Sequence, residues 1–351
     1  MVSMEILKVN ETPVRTSRNF KINNIKLEDV VLPENVMEFK GLQVLGASKI
    51  ETEVEVGKVT YGLGDVMQEN VREMANSKIR ITASQNNEDV KLFYTLDDEN
   101  TALIHYVEIV AEKDLNVTIK YSSSTNYSCF VNGIIKIIAS GNAKVNVVAV
   151  NLLNETSHYF VSMENVLQES SEVQYTVIDL GAKNSVQNYY SNIAGEGANN
   201  ELKAIYLGRE NQVKDMNYIA ELYGEKTNVT IDVQGALKDS AKKNFKGTID
   251  FKKGCKKARG DENEYCMLLS DKAKSIALPM LLCTEDDVEG NHATASGKLD
   301  DKEIFYIMSR GIEKKDATKL IVKARFNKIL ERIADEEIRN EIVQEIDRRL
   351  D

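Results

Sequence analysis

From about Lys78 to Val288 the chain is a succession of short segments rich in β-branched and aromatic residues, each closed by a turn. KIRITAS, KLFYTL, ALIHYVEIVA, NVTIKYS, IIKIIAS, KVNVVAVNLL, HYFVSME, VQYTVIDLG, ELKAIYLG, NVTIDVQGAL and FKGTIDFKKG all favour strands. No amphipathic helix separates them after residue 140. Parallel neighbours in a βαβ fold need helical crossovers, so that arrangement is disfavoured. The sequence holds only three prolines, which suits sheets where nearly every backbone N–H must donate. Two segments repeat loosely: GEGANNELKAIYLG from Gly195 and GEKTNVTIDVQG from Gly224 each place a Gly-Glu turn before a strand ending in glycine. Their offset of 29 residues suits one rung of a solenoid. Read alone, it leaves a β-sandwich of similar strand count open.

The flanks differ from this centre. Residues 1–85 read as a mixed segment, with an extended stretch from Thr16 to Val36 and a short helix over Gly64 to Ser77. In that helix Asp65 is a candidate N-cap, and Val66, Val71 and Met74 are apolar. Residues 86–297 form the β core and residues 298–351 a helical domain. Asp300 with Glu303 resembles a capping box, and Gly311 stops the helix it opens. A second helix, about Lys314 to Ile333, carries Ala317, Leu320, Ile321, Ala324, Leu330 and Ile333 at helical spacing. A third, about Asp335 to Leu350, carries Ile338, Ile342, Val343, Ile346 and Leu350. Such stripes are expected to cap the open end of the sheet, or to offer a groove to a partner.

Composition excludes several functions. With 45 basic and 55 acidic side chains the formal charge is −10, against a nucleic-acid binder, which needs a basic surface. No apolar run approaches about 18 residues, and the start lacks a signal-peptide core, so a cytoplasmic protein without membrane contact is expected. Cys129, Cys255, Cys266 and Cys283 are too scattered for a disulfide framework and contain no C-x-x-C pair. Free thiols are expected.

The segment from Leu278 to Gly311 concentrates the candidate chemistry. It runs from a strand through Cys283 and an acidic turn to His292 and a capped helix. His292 offers an imidazole ligand in what reads as a polar turn over Glu289 to Gly297. Cys283 ends PMLLC, and Glu289 is the next oxygen donor. Cys266 opens CMLLSD and shares a face with Leu268. Cys255, in KKGCKKARG, has Lys252, Lys253, Lys256, Lys257 and Arg259 nearby, which would lower its thiol pKa. Cys129 reads as structural, and His105 and His158 as ordinary surface or cross-strand residues. The cluster Glu285, Asp286, Asp287 and Glu289 also suits a paired-carboxylate, carbohydrate-active β-helix enzyme. Sugar-binding grooves stack on aromatic rings, however, and only 7% of this chain is aromatic, with no tryptophan.

From Asn188 to Ile333 an ordered series of motifs appears. It is densest in NFKGTIDFKKGCKKARGDENEYCMLLSDKAK, LPMLLCTEDDVEGNHATASG and IFYIMSRGIEKKDATKLIVKARFNKIL. The F-x-G turn, L-L-S-D segment, D-D-V, histidine with Ala-Thr, and F-Y-x-x-S-R-G-I before an amphipathic helix resemble the SufB/SufD family. That family supplies scaffolds for the SUF iron–sulfur cluster assembly system. The resemblance implies a mainly β protein: a right-handed parallel β-helix core, a C-terminal helical domain and a small mixed N-terminal segment. It implies a scaffold, not an enzyme, that builds a transient iron–sulfur cluster and hands it to apo-proteins. His292, Cys283 and Glu289 would hold the nascent cluster, with Cys255 or Cys266 accepting persulfide sulfur from a donor. It further implies an ABC-type ATPase docked on the C-terminal helices through Ile312, Leu320, Ile321, Ala324, Phe326 and Leu330, and a dimer, here most simply of two copies. No Walker-type G-x-x-x-x-G-K-[ST] run occurs, so the partner is expected to bind the nucleotide. His292 is followed by Ala293 where the family has glycine. A relative that keeps the fold and partner but not the cluster is therefore the other alternative.

Overall fold

The computed structural model describes residues 6–14, 22–46, 48–83 and 85–351; the extended stretch expected from Thr16 lies outside them as far as residue 21. The β-rich centre closes into a parallel β-solenoid of about eight turns, each giving one strand to each of two sheets. Among the described residues the first sheet contains β3 (Leu42–Gly46), β6 (Glu88–Leu96), β8 (Leu115–Ser123), β10 (Lys144–Leu152), β12 (Glu172–Asp179), β14 (Asn199–Gly208), β16 (Asn228–Leu237), β18 (Ala258–Leu268) and β20 (Val288–Lys298). The second contains β4 (Lys49–Glu51), β5 (Ser77–Thr82), β7 (Ala102–Ala111), β9 (Phe130–Ala139), β11 (His158–Leu167), β13 (Asn184–Ile193), β15 (Val213–Leu222), β17 (Lys242–Phe251) and β19 (Lys274–Cys283).

Residues stacked in register on adjacent turns are 26 (His158 on Asn184) to 32 (Lys242 on Lys274) apart in sequence. The Gly195–Gly224 repeat is this stacking. A Cβ on Gly224 would collide with the Gly195 carbonyl, so the corner closes only without side chains there. The solenoid therefore replaces the sandwich alternative.

Alternate residues of every strand point between the sheets. The interior is largely aliphatic, threaded by a ladder of tyrosines. Tyr94 stacks on Tyr121 at 5.5 Å between ring centroids, and Tyr175, Tyr189, Tyr218 and Phe245 continue edge-to-face at 5.5–6.0 Å. Such pairs each add about 0.5–1.5 kcal/mol beyond the area they bury. His105 belongs to this interior, contrary to the surface or cross-strand role expected for it. It is fully buried, stacks on Tyr94 and meets the Tyr121 hydroxyl at 3.0 Å. Gly133, one turn on, leaves room for its ring. His158 lies on the outer side, half-buried beside Asn184.

Both outer faces are partly covered. Over the second sheet lie β1 (Leu7–Val9) and β2 (Ile25–Leu27), paired antiparallel, and α1 (Asp65–Met74). Val9, Ile25 and Leu27 pack with Phe130, Phe160 and Val186, and Val71 with Ile104 and Tyr106. Asp65 is the first helical residue of α1 and not its cap, which is Gly64.

Over the first sheet lie α3 (Lys314–Leu330) and α4 (Glu336–Leu350), reached through α2 (Asp301–Met308). Asp300 caps α2 by accepting the Lys302 N–H, and Asp335 caps α4 by accepting from Glu337 and Ile338. Gly311, at φ 86°, ends the first of these turns. Val322, Phe326, Ile329, Ile342 and Ile346 are buried on Ile178, Leu180, Ile205, Leu207 and Met267. Each such side chain contributes about 1.5–3 kcal/mol. The apolar stripes thus cover a sheet face instead of capping its open end. No described helix is long and apolar enough to cross a membrane.

The two ends of the solenoid are unlike. At the first turn, β3 and β4 run antiparallel to β6 and β5 and close the stack. At the last turn, β19 and β20 pair only with the turn below, and among the described residues no strand covers their outer edges.

Candidate functional site

Register fixes what the open end presents. On β18 and β20 the inward pairs are Gly260 with Gly290, Glu262 with His292, Glu264 with Thr294 and Cys266 with Ser296. On β17 and β19 they are Lys243 with Ser275, Phe245 with Ala277, Gly247 with Pro279, Ile249 with Leu281 and Phe251 with Cys283. Contacts across the interior agree. The Ser275 and Ser296 hydroxyls lie 2.8 Å apart, and a Cβ on Gly290 would come within 2.9 Å of both Leu281 and Phe251. The aromatic ladder ends at Phe245, below the last turn. Beyond it polar groups enter the interior, with His292, Thr294, Ser275 and Ser296 set beside Ala277, Leu281 and Val288.

His292 therefore stands on a strand, not in the expected turn, because VEGNHATASGK completes the ladder on β18. Its side chain shares a column with Glu262 yet is exposed, since nothing stacks above it. Glu262 is fully buried, and neither of its carboxylate oxygens has a hydrogen-bond partner. Burial first, and the neighbouring Glu264 second, push its carboxyl up to about 8. Gly247 makes the space: a Cβ there would clash with the Glu262 carboxylate. Glu264 is half satisfied: its Oε1 accepts from the Tyr206 hydroxyl at 2.8 Å and lies 2.8 Å from the Lys243 ammonium, while its Oε2 has no hydrogen-bond partner.

The other candidates fall in separate places. Glu289 is on the outer face, exposed and ion-paired with Arg259 at 3.2 Å. Cys283 is exposed at the far corner, its thiol donating to the Glu285 carbonyl at 2.9 Å. It belongs to the sheet opposite His292, and packed sheets stand about 10 Å apart. His292, Cys283 and Glu289 are thus not brought together within one chain. Among the described residues no three His, Cys, Asp or Glu side chains form a metal-holding group.

Cys255 and Cys266 are both buried. The lysines around Cys255 point outward and do not activate it. Burial, then Glu285 and Cys283, push its thiol up to about 11, the reverse of the lowering its basic neighbours suggested. Burial also raises the Cys266 thiol, with the Lys243 ammonium opposing. Cys129 is buried in the core, its thiol raised by burial. Glu285 accepts the Gly254 N–H at 2.8 Å, and this backbone bond lowers its carboxyl. A glycosidase needs one acid of its pair raised, so the acidic turn does not supply one through Glu285.

The expected docking residues divide. Ile321, Phe326 and Leu330 are buried within the chain, the last two against the first sheet, and are unavailable to a partner. Leu320 and Ala324 are exposed and Ile312 half-buried. Phe305, Tyr306 and Met308 on α2, which sequence reasoning did not single out, are also exposed. Glu262, Glu264 and Lys243 were equally absent from that reasoning. The alternation G-x-E-x-E-x-C in ARGDENEYC carried the signal of the two glutamates.

A parallel β-solenoid with an open, polar-lined last turn and helices laid along one face defines the structural class. The model of the SufBD core domain, described as SUF system FeS cluster assembly, matches residues 94–325. The chain belongs to this family. It is 28% identical over 265 residues to the iron–sulfur cluster assembly protein SufD of Bacillus subtilis, covering 74% of this chain and 61% of that protein. It is 23% identical over 312 residues to SufD of Escherichia coli, covering 85% and 74%. It is 28% identical over 239 residues to a SufBD family protein of Pyrococcus horikoshii, covering 66% and 52%. The match spans about half to three quarters of these relatives' own lengths.

Proposed function

We propose that this chain is a scaffold subunit, without turnover chemistry of its own, on which an iron–sulfur cluster is assembled and then passed to apo-proteins in the cytoplasm. The observation that carries this is the polar column, with His292 at its mouth, at the uncovered end of a SufBD-family solenoid. One chain offers too few convergent ligands to hold a cluster. Two copies meeting at the unpaired edges of β19 and β20 would bring two His292 and two Cys283 side chains to one interface, with Glu289 at its rim.

Sulfur acceptance by Cys255 or Cys266 requires the last turn to open, because both thiols are buried; the exposed Cys283 needs no such motion. An ABC-type ATPase docked over Phe305, Tyr306, Leu320 and Ala324 would supply the work of opening, since α3 is packed directly on the strands of the first sheet. ATP is bound and hydrolysed by that partner.

Anaerobic incubation with ferrous iron, sulfide and the ATPase, read by bound iron and visible absorbance, tests this. Wild type should assemble a cluster, and His292→Ala should lower its yield by about tenfold or more. Wild type that takes up no cluster with the ATPase present removes the scaffold reading. Normal assembly by both His292→Ala and Cys283→Ser removes the site.

A further inference from the structure

We propose that Glu262 and His292 are the two protein ligands of a divalent-cation site inside the last turn, loaded from the open end of the solenoid. The two residues are in-register neighbours on β18 and β20, both directed inward. Adjacent strands stand about 4.8 Å apart. Metal–nitrogen and metal–oxygen bonds of about 2.0–2.2 Å to borderline cations let one ion bridge that gap.

Glu262 needs such a partner. It is fully buried, and both of its oxygens lack a hydrogen bond. Buried carboxylates are otherwise paired, hydrogen-bonded or metal-bound. The Lys243 ammonium lies 2.8 Å from Glu264 and makes no ion pair with Glu262. Gly247 holds open the space the carboxylate occupies. His292 above is exposed, so an ion reaches the column from solvent without unfolding the turn. Glu289, three residues before His292, is turned to the outer face by strand alternation and paired with Arg259. One oxygen and one nitrogen donor leave most coordination positions to water, sulfide or a second copy, as a cation in transit requires. Only the identity of the natural cation, ferrous iron, rests on the scaffold reading.

Cobalt(II), titrated anaerobically into the full chain and followed by its visible bands and by equilibrium dialysis, tests the site. Wild type should bind one ion per chain at this site. Glu262→Gln, which keeps side-chain shape, and His292→Ala, at an exposed position, should each weaken binding by about tenfold or more. Glu225→Gln, at an exposed corner of an interior turn, should stay within about twofold. Far-UV circular dichroism verifies that each variant is folded. The proposal is overturned by wild type that binds no cobalt, or by Glu262→Gln with unchanged affinity. Cluster reconstitution is scored separately. A chain that assembles a cluster while Glu262→Gln binds cobalt normally loses this site and keeps its scaffold function. One that binds cobalt through Glu262 but assembles nothing keeps the site and loses that function.

Discussion

Acidification from pH 7 toward pH 3 is expected to remove up to about 5 kcal/mol of stability through His105 alone. Burial in the aromatic ladder lowers its imidazole from 6.5 to about 3. The unfolded chain takes up this proton near pH 6.5, and the native chain does not until about pH 3. Between those values the unfolded state binds more protons, so stability falls as pH falls; above pH 6.5 the contribution is complete. At about 1.4 kcal/mol per pH unit, the gap sets the limit given above. His105→Phe keeps a ring on Tyr94 but removes the titration and leaves the Tyr121 hydroxyl without its partner, a cost of about 1–3 kcal/mol that does not vary with pH. Urea unfolding from pH 7 to pH 4 should therefore show a shallower slope for the variant, whatever its offset. Parallel slopes would mean that the imidazole titrates normally in the fold.

The second large effect concerns the ion pair beneath the N-terminal strand. Lys246 and Asp215 are about fully buried and 2.6 Å apart. Asp215 also accepts from Asn10 at 2.6 Å and from Asn244 at 3.1 Å, while Lys246 donates to the Asn10 carbonyl at 3.0 Å. Removing one partner strands a charge away from water. Asp215→Ala should cost about 3–5 kcal/mol and expose residues 6–14 to protease. Replacing both members with apolar residues of similar volume should return much of the loss, because the penalty lies in the stranded charge and not in the missing attraction. A loss under about 1 kcal/mol for Asp215→Ala would show that water reaches the pair.

How much of this was legible in the sequence follows from what each residue type signals. Strands of valine, isoleucine and tyrosine announce themselves by composition, and the Gly195–Gly224 repeat announces the turn because glycine is required where corners stack. ARGDENEYCML and VEGNHATASGK are rich in residues that disfavour strands. They are extended because the ladder below supplies their hydrogen bonds, which is why His292 read as part of a turn. His105 was equally opaque: alternation gives a face, and only register says which face is inside. Its signal lay 28 residues away at Gly133, its in-register neighbour. Asp300, Gly311 and Asp335 marked helix ends correctly. The apolar stripes could not say which surface they cover, since any apolar face would serve.

The uncovered last turn has a thermodynamic corollary. In a stack where each unit is held by its neighbours, an interior turn has two and a terminal one has one. Among the described strands, β19 and β20 should open at the lowest free energy, with amide hydrogen exchange faster there than in β11 or β13. Fraying would bring Cys266 and Glu262 to solvent while the tyrosine-filled turns stay shut. A ligand that holds the end turn closed, or a second chain that pairs with it, would slow that exchange by mass action. The candidate chemistry thus sits where the fold is most easily persuaded to change.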